Sequence, residues 1–317
     1  MKFVKFTIAR WGAWSAVLAG LALGMGCTPE LGNDPLPESM IFDTETGRVP
    51  EPNVIALNTE TNRLDFSALG LMVPDGPGAC MDATGWGSVA ECEFYQYLES
   101  MDGYPTLSFM RTPASAPLDL STLTYAGQDD DTLVVLNTGR LRKVTDLMVS
   151  WNDDDGYLYI DSPVGWEVGR LYIGAVRGYD NGVTTTDGSR VVASVIYNLL
   201  KRDESLLNCA LDDPLPDPAD LVDPVADPEC KYYELVASMY AAQFPDPVVL
   251  DAVVSDLLVS LEMLRQGFVG DGMTGLWTVT ESLGNIPKDE AAIAWAWPTH
   301  SNPVVELQPA IGIVPEP

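Results

Sequence analysis

The sequence predicts a mainly β fold, a β-sandwich with an α-helical insertion before its final strand. Short apolar segments follow one another at even spacing between residues 106 and 176, separated by turn clusters such as NDDDG at residues 152–156. Short strands punctuated in this way are typical of a sandwich rather than of a sheet that alternates with helices. A helical pattern then replaces the strand pattern over about residues 190–270, and one more apolar strand follows it.

Six segments carry the strand pattern. They are residues 106–111, 131–137, 147–151, 157–160, 170–176 and 291–297. The second contains the uninterrupted apolar run LVVL, and the last alternates alanine with Trp295 and Trp297. Because side chains two residues apart on a strand share a face, we expect both tryptophans to lie in the core.

Three segments, residues 191–202, 231–244 and 247–266, carry a helical pattern. The third is the clearest, because leucine and valine recur at three- and four-residue steps and form one apolar stripe. The stripe consists of Leu250, Val253, Val254, Leu257, Leu258, Leu261 and Leu264. Asp246 is placed to cap its N-terminus, and Gly267 is expected to end it.

The N-terminus has the pattern of an export signal over residues 1–26. Lys2, Lys5 and Arg10 precede an uncharged apolar stretch, residues 11–26, which is shorter than the roughly 20 residues that a helix needs to cross a bilayer. Residues 27–37 are rich in Pro, Gly and Asn without an apolar period, so we expect a tether between this signal and the folded body.

The segment LGMGC at residues 23–27 resembles the lipobox of bacterial lipoproteins, with its leucine one position further from the cysteine than usual. The resemblance implies cleavage before Cys27, acylation of that residue and stable membrane attachment through more than one acyl chain. Thr28, and not aspartate, follows the cysteine, which by resemblance favours the outer membrane. The sequence does not indicate whether the protein lies on the periplasmic or the surface side of that membrane. Ordinary secretion, with cleavage at another small residue, is the alternative.

The cysteine count is consistent with export. The chain has five cysteines, and four remain when Cys27 is set aside: Cys80, Cys92, Cys209 and Cys230. An even number suits an oxidising compartment, and four cysteines allow three pairings. We expect the local pairing, Cys80 with Cys92 and Cys209 with Cys230. A metal site is a poor alternative, since no C-x-x-C spacing occurs and His300 is the only histidine.

The chain is strongly acidic, with a formal net charge of −29, and loss of the basic signal would make it more so. Such a body is repelled by nucleic acid and by anionic lipid surfaces, so the sequence excludes a nucleic-acid-binding protein. Solubility is the default explanation of the charge.

FDTETGRVPEPN at residues 42–53 and the stretch over residues 94–117 carry motifs in a recognisable order. They resemble the opening motif, with Thr44 in place of its first proline, and the next conserved stretch of the N-terminal domain of bacterial virulence-factor lipases. LYIDSP, GRLYIGAV and DGSRV within residues 158–198 resemble the Ig-like module of that family. IAWAWPT at residues 293–299 is similar to its closing strand.

This resemblance implies an Ig-like β-sandwich over residues 38–308, with residues 309–317 as a tail, in a surface lipoprotein. In the lipases an α/β-hydrolase domain follows and carries the nucleophile. Because this sequence ends at Pro317, we expect that the hydrolase is missing, and no lipase residue can be transferred to this chain.

No catalytic residue is expected from the sequence. A serine hydrolase of this type needs a G-x-S-x-G nucleophile elbow, and that pentapeptide does not occur. His300 follows a predicted strand, where a histidine is more often a surface or turn residue than a catalytic base. Acidic pairs for glycosidase chemistry arise by chance among 46 acidic residues, and no pair stands out.

Two kinds of binding site remain as hypotheses. Acidic turns can supply the oxygen ligands that calcium prefers, although none has the EF-hand pattern, and solvated turn acids are the alternative. The calcium candidates are Asp129, Asp130, Asp131, Asp153 and Asp155. Trp86 and Trp166, in predicted loops, can stack on a sugar or anchor a partner if exposed, with loop or core packing as the alternative.

The sequence therefore predicts a non-enzymatic cell-envelope lipoprotein with an Ig-like binding or presentation module, without a required cofactor. Its expected partners are the membrane, through the lipid anchor, and an envelope protein or a surface glycan. Two alternatives stay open: an accessory domain that acts in trans with a separate lipase or esterase, and a hydrolase with an unrecognised acidic site.

Overall fold

The computed structural model describes residues 37–44, 46–58, 60–69, 71–74, 76, 78–81, 86–207, 231–270 and 275–301. All of them belong to a single unit that begins at Leu36. The signal segment with Cys27, the second predicted cysteine pair (Cys209 and Cys230) and the tail over residues 309–317 lie outside the described residues. Most of the tether does so as well.

The described residues contain eleven strands and five α-helices, together with short 3-10 helices. The strands are β1 (Glu38–Met40), β2 (Leu57–Asn58), β3 (Arg63–Leu64), β4 (Met110–Pro113), β5 (Leu133–Asn137), β6 (Arg142–Lys143), β7 (Met148–Asn152), β8 (Tyr157–Asp161), β9 (Leu171–Arg177), β10 (Val191–Ala193) and β11 (Ala291–Pro298). The helices are α1 (Val89–Glu99), α2 (Val195–Leu200), α3 (Lys231–Tyr240), α4 (Pro247–Val269) and α5 (Leu276–Gly284).

The two larger sheets are both antiparallel. One has the strand order β11-β9-β5-β6, and the other has the order β4-β8-β7. Apolar side chains from both sheets, such as Val135 and Ile160, belong to one buried cluster. Two small pairs complete the strands: β1 runs parallel to β10, and β2 pairs with β3. The predicted fold class, a mainly β sandwich with helices inserted before the last strand, is confirmed.

The core of the larger sheet contains the two tryptophans of β11. Trp295 and Trp297 are both fully buried, as the alternation predicts. Gly174 of β9 lies opposite Trp295 in the register. A Cβ at this glycine would lie 2.6 Å from the indole Cζ2, closer than real contacts allow, so the glycine makes room for the ring. Trp297 stacks on Tyr172, with 5.4 Å between ring centroids.

The helical insertion is present, and its elements differ in detail from the sequence pattern. Helix α4 starts as predicted, because the Asp246 carboxylate accepts a hydrogen bond from the Val248 amide at 2.9 Å. It runs past Gly267, contrary to prediction, and ends at Gly270, where φ is +60° and glycine is favoured. The helix also buries Glu262 and Arg265, two charged residues outside the apolar stripe.

Two predicted segments begin differently from the expectation. In the expected helix over residues 191–202 the first three residues form β10, and helix α2 follows Ser194, whose hydroxyl accepts a hydrogen bond from the Tyr197 amide. In the expected strand over residues 106–111 only the end is extended, as part of β4. The preceding residues turn, with the Ser108 amide donating to the Pro105 carbonyl.

Helix α1 was not predicted, and it holds the disulfide. Its Ser88 cap accepts from the Glu91 amide, and the Glu91 carboxylate accepts in return from the Gly87 amide, a variant of the capping box. Cys92 in its second turn is bonded to Cys80, with 5.7 Å between the Cα atoms, so this predicted pair is confirmed. Of the helices in the described ranges, none is long and apolar enough to cross a membrane.

Candidate functional site

An open apolar groove of about 440 Å³ lies beside helix α1. Helix α1 forms one wall, a turn over residues 104–109 forms the opposite wall, and the 3-10 helix Phe66–Leu69, Leu71 and the Glu51–Pro52 segment complete it. The principal lining side chains are Phe66, Leu71, Phe94, Tyr95, Leu98, Tyr104, Leu107 and Phe109. Pockets that bind ligands are lined mainly by such apolar and aromatic groups, so the groove is the first candidate for a binding site.

Both walls of the groove are fixed in place by specific bonds. The disulfide ties helix α1 to the 3-10 helix Ala79–Met81. On the opposite wall the Trp166 amide donates to the Thr106 carbonyl at 2.8 Å, and the Trp166 indole N–H donates to the Ser108 carbonyl at 2.6 Å. The groove is therefore built on a covalent bond at one side and on a buried anchor at the other.

The interior of the groove is aromatic. Phe66 packs edge-on against Tyr95, at 4.9 Å between centroids, and against Tyr104, at 6.3 Å. The Tyr104 hydroxyl donates to the Asn53 carbonyl at 3.0 Å. Burial raises the pKa of Tyr104 and of Tyr95, so both phenols stay neutral at physiological pH and add no charge to the groove.

The rim of the groove exposes large apolar side chains to water. Leu107 is 62% exposed, Phe109 52% and Phe94 45%. Met72, which follows the lining residue Leu71, is 80% exposed. Contiguous exposed apolar surface of this kind marks interaction sites on soluble proteins, whereas single exposed apolar residues are ordinary.

One ion pair borders the groove. The Arg111 guanidinium donates to the Glu51 carboxylate through Nε at 2.9 Å and Nη2 at 2.6 Å. The two residues also form a backbone bridge, and the guanidinium lies 4.7 Å from the centre of the Tyr157 ring. Because the two charges neutralise each other, this edge of the groove carries no net charge.

The two tryptophans considered as ligand contacts, with loop or core packing as the alternative, have different positions. Trp86 is half-buried beside the groove, with its ring 5.3 Å from the ring of Tyr95. Trp166 is only 5% exposed and packs edge-on against both Tyr172 and Trp297. The hypothesis of an exposed aromatic at Trp166 is wrong, because its indole N–H is used to hold the turn that forms the groove wall.

Three of the five calcium candidates have carboxylates that already accept hydrogen bonds from other groups of the chain. Asp131 is buried and accepts from the Ala126 and Gly127 amides at 3.0 and 2.7 Å. The Asp153 carboxylate accepts from an indole N–H, and that of Asp155 from a backbone amide and a phenol. Asp129 and Asp130 lie in the turn that precedes β5. Within the described ranges no three His, Cys, Asp or Glu residues are grouped as metal ligands, and calcium binding stays a prediction.

His300 is buried, with 1% exposure, contrary to the expectation of a surface residue. Its backbone amide donates to the Tyr104 carbonyl at 3.0 Å, and its carbonyl accepts from the Gly169 amide at 2.9 Å. The next residue, Ser301, donates its amide to the Asp102 carboxylate. The segment after β11 is thus joined to the chain that enters the groove wall, which explains why the histidine lies inside.

A second cavity, of about 570 Å³, is polar and lies at the C-terminal end of helix α2. Its walls carry Tyr179, Asn198, Lys201, Arg202, Lys288 and Asp289, among others. Lys201 is buried there, and the burial lowers the pKa of its amine to about 8.

Neither cavity was predicted, because each is formed by segments distant in sequence. The capping signal S-x-x-E at residues 88–91 was the one local indication of the groove-forming helix.

Comparison with known proteins assigns no family to the chain. No protein-family model matches it, and no curated protein matches it. Solved structures of the bacterial S-layer protein SbsC match small parts. Its N-terminal part covers 29% of this chain at 14% identity and a TM-score of 0.22, and its rSbsC(31-844) structure covers 37% at 11% identity and 0.22. The matched region spans 19% and 17% of those two structures, and these matches identify neither fold nor function.

Proposed function

We propose that this chain is an exported lipoprotein of the bacterial cell envelope that binds an apolar segment of a partner protein in the groove. The observation that carries the proposal is the groove itself. It combines an aromatic interior with exposed Phe94, Leu107 and Phe109 at its rim, on a strongly acidic body. The lipobox-like segment that ends at Cys27 supports the anchor, and the resemblance to lipase N-terminal domains supports a place at the cell surface.

A protein fits the groove better than a small ligand does. A small apolar molecule would fill the interior and leave the rim residues Phe94, Leu107 and Phe109 in water. A partner surface can cover the rim and insert a side chain into the interior at the same time, as is typical of binding hot spots. The neutral Glu51–Arg111 edge selects against a strongly charged segment, because a charge buried there would lack a free counter-charge.

A separate lipase or esterase is the specific partner that the resemblance favours. In the resembling proteins the hydrolase belongs to the same chain, and we propose that here a separately encoded hydrolase is bound in trans. Binding rather than catalysis is proposed because the sequence lacks a nucleophile elbow. Hydrolysis of chromogenic esters by the purified chain, abolished by one Asp or Glu substitution, would instead support a hydrolase with an acidic site.

The groove proposal is tested by photo-crosslinking in cells with a photoreactive residue at Phe109. The matched control position is Leu141, which is 69% exposed and does not line the groove. We expect one dominant protein adduct when the photoreactive residue is at position 109. The same adduct should not form when the photoreactive residue is at position 141. With that partner purified, Leu107→Asp should weaken binding at least about ten-fold, since burying a leucine side chain is worth roughly 1.5–3 kcal/mol.

Three outcomes would contradict the groove proposal. These are identical adducts from both positions, an adduct with glycan only, and an affinity that Leu107→Asp leaves unchanged. A glycan adduct would move attention to Trp86 beside the groove.

The anchor is tested separately by fractionation of cells that express Cys27→Ala. We expect the variant to leave the membrane fraction, because without the modified cysteine no acyl chain holds the chain to the bilayer. The unmodified protein, fractionated in parallel, is the control. Retention of the variant in the membrane fraction would show that Cys27 is not the anchor.

A further inference from the structure

A patch of three arginines lies at one end of the larger sheet and shares no residue with the groove or with the polar cavity. Arg140 lies on the turn after β5, Arg142 on β6 and Arg170 just before β9, and all three surround the carboxylate of Glu167. Arg140 Nε donates to that carboxylate at 2.6 Å and Arg142 Nη2 at 3.4 Å, while Arg170 Nε lies 3.6 Å from it. Among the described residues Glu167 is the one carboxylate that pairs with these arginines. Three cations around one anion leave positive charge in excess.

This excess is unusual for the chain, which has 17 lysines and arginines against 46 acidic residues. A carboxylate has two oxygens, whereas each guanidinium has several N–H donors. The buried Nε of Arg170 makes no hydrogen bond within the part of the chain that the structure describes. A Cβ at Gly139 would lie 3.0 Å from Arg170 Nη1, so the glycine lets the turn pack directly on this guanidinium. The patch can therefore donate to a further anionic group.

The patch is held in place by two buried residues. The hydroxyl of Tyr172 accepts from the Glu167 amide at 2.7 Å and from the side-chain amide of Asn137 at 3.2 Å. The Asn137 Oδ1 accepts in turn from the Arg140 amide at 3.1 Å. The central carboxylate and the arginine turn are thus fixed to the same buried hydroxyl, so the patch is preorganised.

Leu141 lies between the two arginines of the hairpin in a conformation that leucine rarely adopts. Its φ is +50°, where glycine or asparagine is usual. Its side chain is 69% exposed, so no packing compensates for this strain. Val168 and Leu171, on either side of Arg170 in the sequence, also expose apolar surface. Strain that is retained at an exposed residue without a packing gain is typical of a functional position.

We propose that this patch docks on an anionic bilayer surface, with its guanidiniums on lipid phosphates and Leu141 inserted among the headgroups. The planar guanidinium matches the oxygens of a phosphate. An apolar side chain flanked by cations suits a surface that is anionic outside and apolar beneath. An acidic protein segment would satisfy the arginines, but it would also have to supply an apolar pocket for the exposed leucine.

The acidic body does not prevent this contact. Charges further away than the Debye length, about 8 Å at physiological ionic strength, are largely screened, so the charges at the contact decide. Each arginine near an anionic surface strengthens binding roughly five-fold, so the patch alone binds weakly. The docking therefore rests on the proposed function, because an anchor at Cys27 would keep the patch near the bilayer, where a weak second contact suffices.

The expected tether is long enough for this arrangement. The described chain begins at the other end of β9, since Glu38 pairs with Val191, whose carbonyl lies against Gly178 just after that strand. β9 has seven residues and is roughly 20–24 Å long. A stretch as long as the expected tether, residues 27–37, spans about 36–40 Å when extended. An anchor at Cys27 thus leaves the patch free to reach the bilayer.

The proposal is tested by arginine footprinting of the lipid-anchored chain on vesicles. A neutral, water-soluble dicarbonyl, p-hydroxyphenylglyoxal, modifies accessible guanidiniums, and peptide mass spectrometry gives the rate at each arginine. Arg190 is the matched internal control, because its side chain is 54% exposed and paired with Asp180, while that of Arg140 is 51% exposed and paired with Glu167. Vesicles that mix phosphatidylglycerol with phosphatidylcholine should slow Arg140 and Arg142 at least about five-fold relative to pure phosphatidylcholine. High salt should reverse this protection, and Arg190 should react equally on both vesicles.

A Leu141→Gly variant separates docking from folding. Glycine suits the positive φ, so the thermal midpoint should stay the same or rise. The protection of Arg140 and Arg142 should nevertheless fall, since burying a leucine side chain strengthens binding about ten-fold or more. Full protection in this variant would overturn the insertion of Leu141.

Four further outcomes would overturn the proposal. Equal rates on both vesicles would show that the patch does not dock, and equal slowing of Arg190 would show general adsorption. Protection by inorganic phosphate without vesicles would assign the site to free phosphate. Protection in intact cells without protection on vesicles would assign it to an acidic protein. Retention of the chain on pure phosphatidylcholine reports the anchor alone, so failure of the anchor at Cys27 is distinguished from failure of the patch.

Discussion

The buried Glu262–Arg265 pair on helix α4 allows a quantitative test of how the insertion is held. The Arg265 guanidinium donates to the Glu262 carboxylate through Nε at 2.8 Å and Nη2 at 2.7 Å. The same carboxylate accepts from the Leu206 amide at 2.8 Å. The guanidinium also donates to the Arg202 and Asp203 carbonyls. The network therefore ties helix α4 to the chain that follows helix α2.

We expect Arg265→Met to lower the free energy of unfolding by about 3–5 kcal/mol, because it leaves a buried carboxylate without its counter-charge. The magnitude follows from burial, since the side chains of Glu262 and Arg265 are 2% and 8% exposed. An exposed pair would contribute only about 0–1 kcal/mol. The measurement is urea unfolding of the purified chain at pH 7, with unchanged m-values as the check that the two-state comparison holds.

A Glu262→Leu/Arg265→Met double variant is the control. It removes both charges, so it should be more stable than Arg265→Met alone, and the double-mutant cycle should give a coupling of about 2 kcal/mol or more between the two residues. A loss below about 1 kcal/mol for Arg265→Met would refute the reasoning. So would a coupling near zero, since it would mean that the two charges are solvated independently.

The pair also predicts a pH dependence. Burial pushes the pKa of Glu262 upward, but the hydrogen bonds from Arg265, Leu206 and Gln266 outweigh it and hold the pKa below the ordinary value. A lowered carboxyl pKa stabilises the folded state fully above the unfolded value, roughly pH 4.3. This contribution is lost as the pH falls through the folded pKa. Unfolding curves in acid should therefore show a smaller decline for Glu262→Gln than for the unmodified chain.

Three further predictions concern stability. Gly174→Ala should destabilise the protein by about 1–3 kcal/mol, because the new methyl group clashes with the Trp295 ring of β11. Gly267→Ala, at an open helix position, should stabilise it by roughly 0.5–1 kcal/mol, and thermal unfolding of both variants checks this. Asp246→Ala should cost about 1 kcal/mol by loss of the helix cap, measured by urea unfolding, and no change would show that the cap is not used. Replacing Cys80 and Cys92 by serine opens a loop with a sequence separation of 12 and should lower the free energy of unfolding by about 3 kcal/mol. Unfolding experiments check this, and the prediction is contradicted if a reductant does not change the stability of the unmodified chain.

Elements with strong local patterns could be predicted from the sequence. Strand β5 is an uninterrupted apolar run, and helix α4 has both an apolar stripe and an N-terminal cap. Residues close together in sequence are therefore enough to predict where these two elements lie. Helix α1 was missed because its only buried side chains are Cys92 and Leu98, which leaves a weak stripe. Strand β10 was predicted as helix because its extended form depends on β1, some 150 residues away.

The groove could not be predicted for the same reason. Its opposite wall is held by Trp166, whose indole donates to Ser108, 58 residues earlier in the chain. A loop tryptophan has no local signal that distinguishes such an anchor from an exposed ligand contact. The rim residues Leu107 and Phe109 have the composition of a strand interior, and only the tertiary arrangement turns them toward water.

The pairing of β9 with β11 has a consequence for the order of events during synthesis. β9 is paired on one side by β5, but its other neighbour lies more than a hundred residues later, beyond the whole insertion. At a ribosomal rate of about 5–20 residues per second, the chain waits roughly six to twenty seconds for that strand. During this interval the sheet has an open edge and no tryptophan core. A nascent chain that completes its core so late needs protection from edge-to-edge association until the last strand arrives.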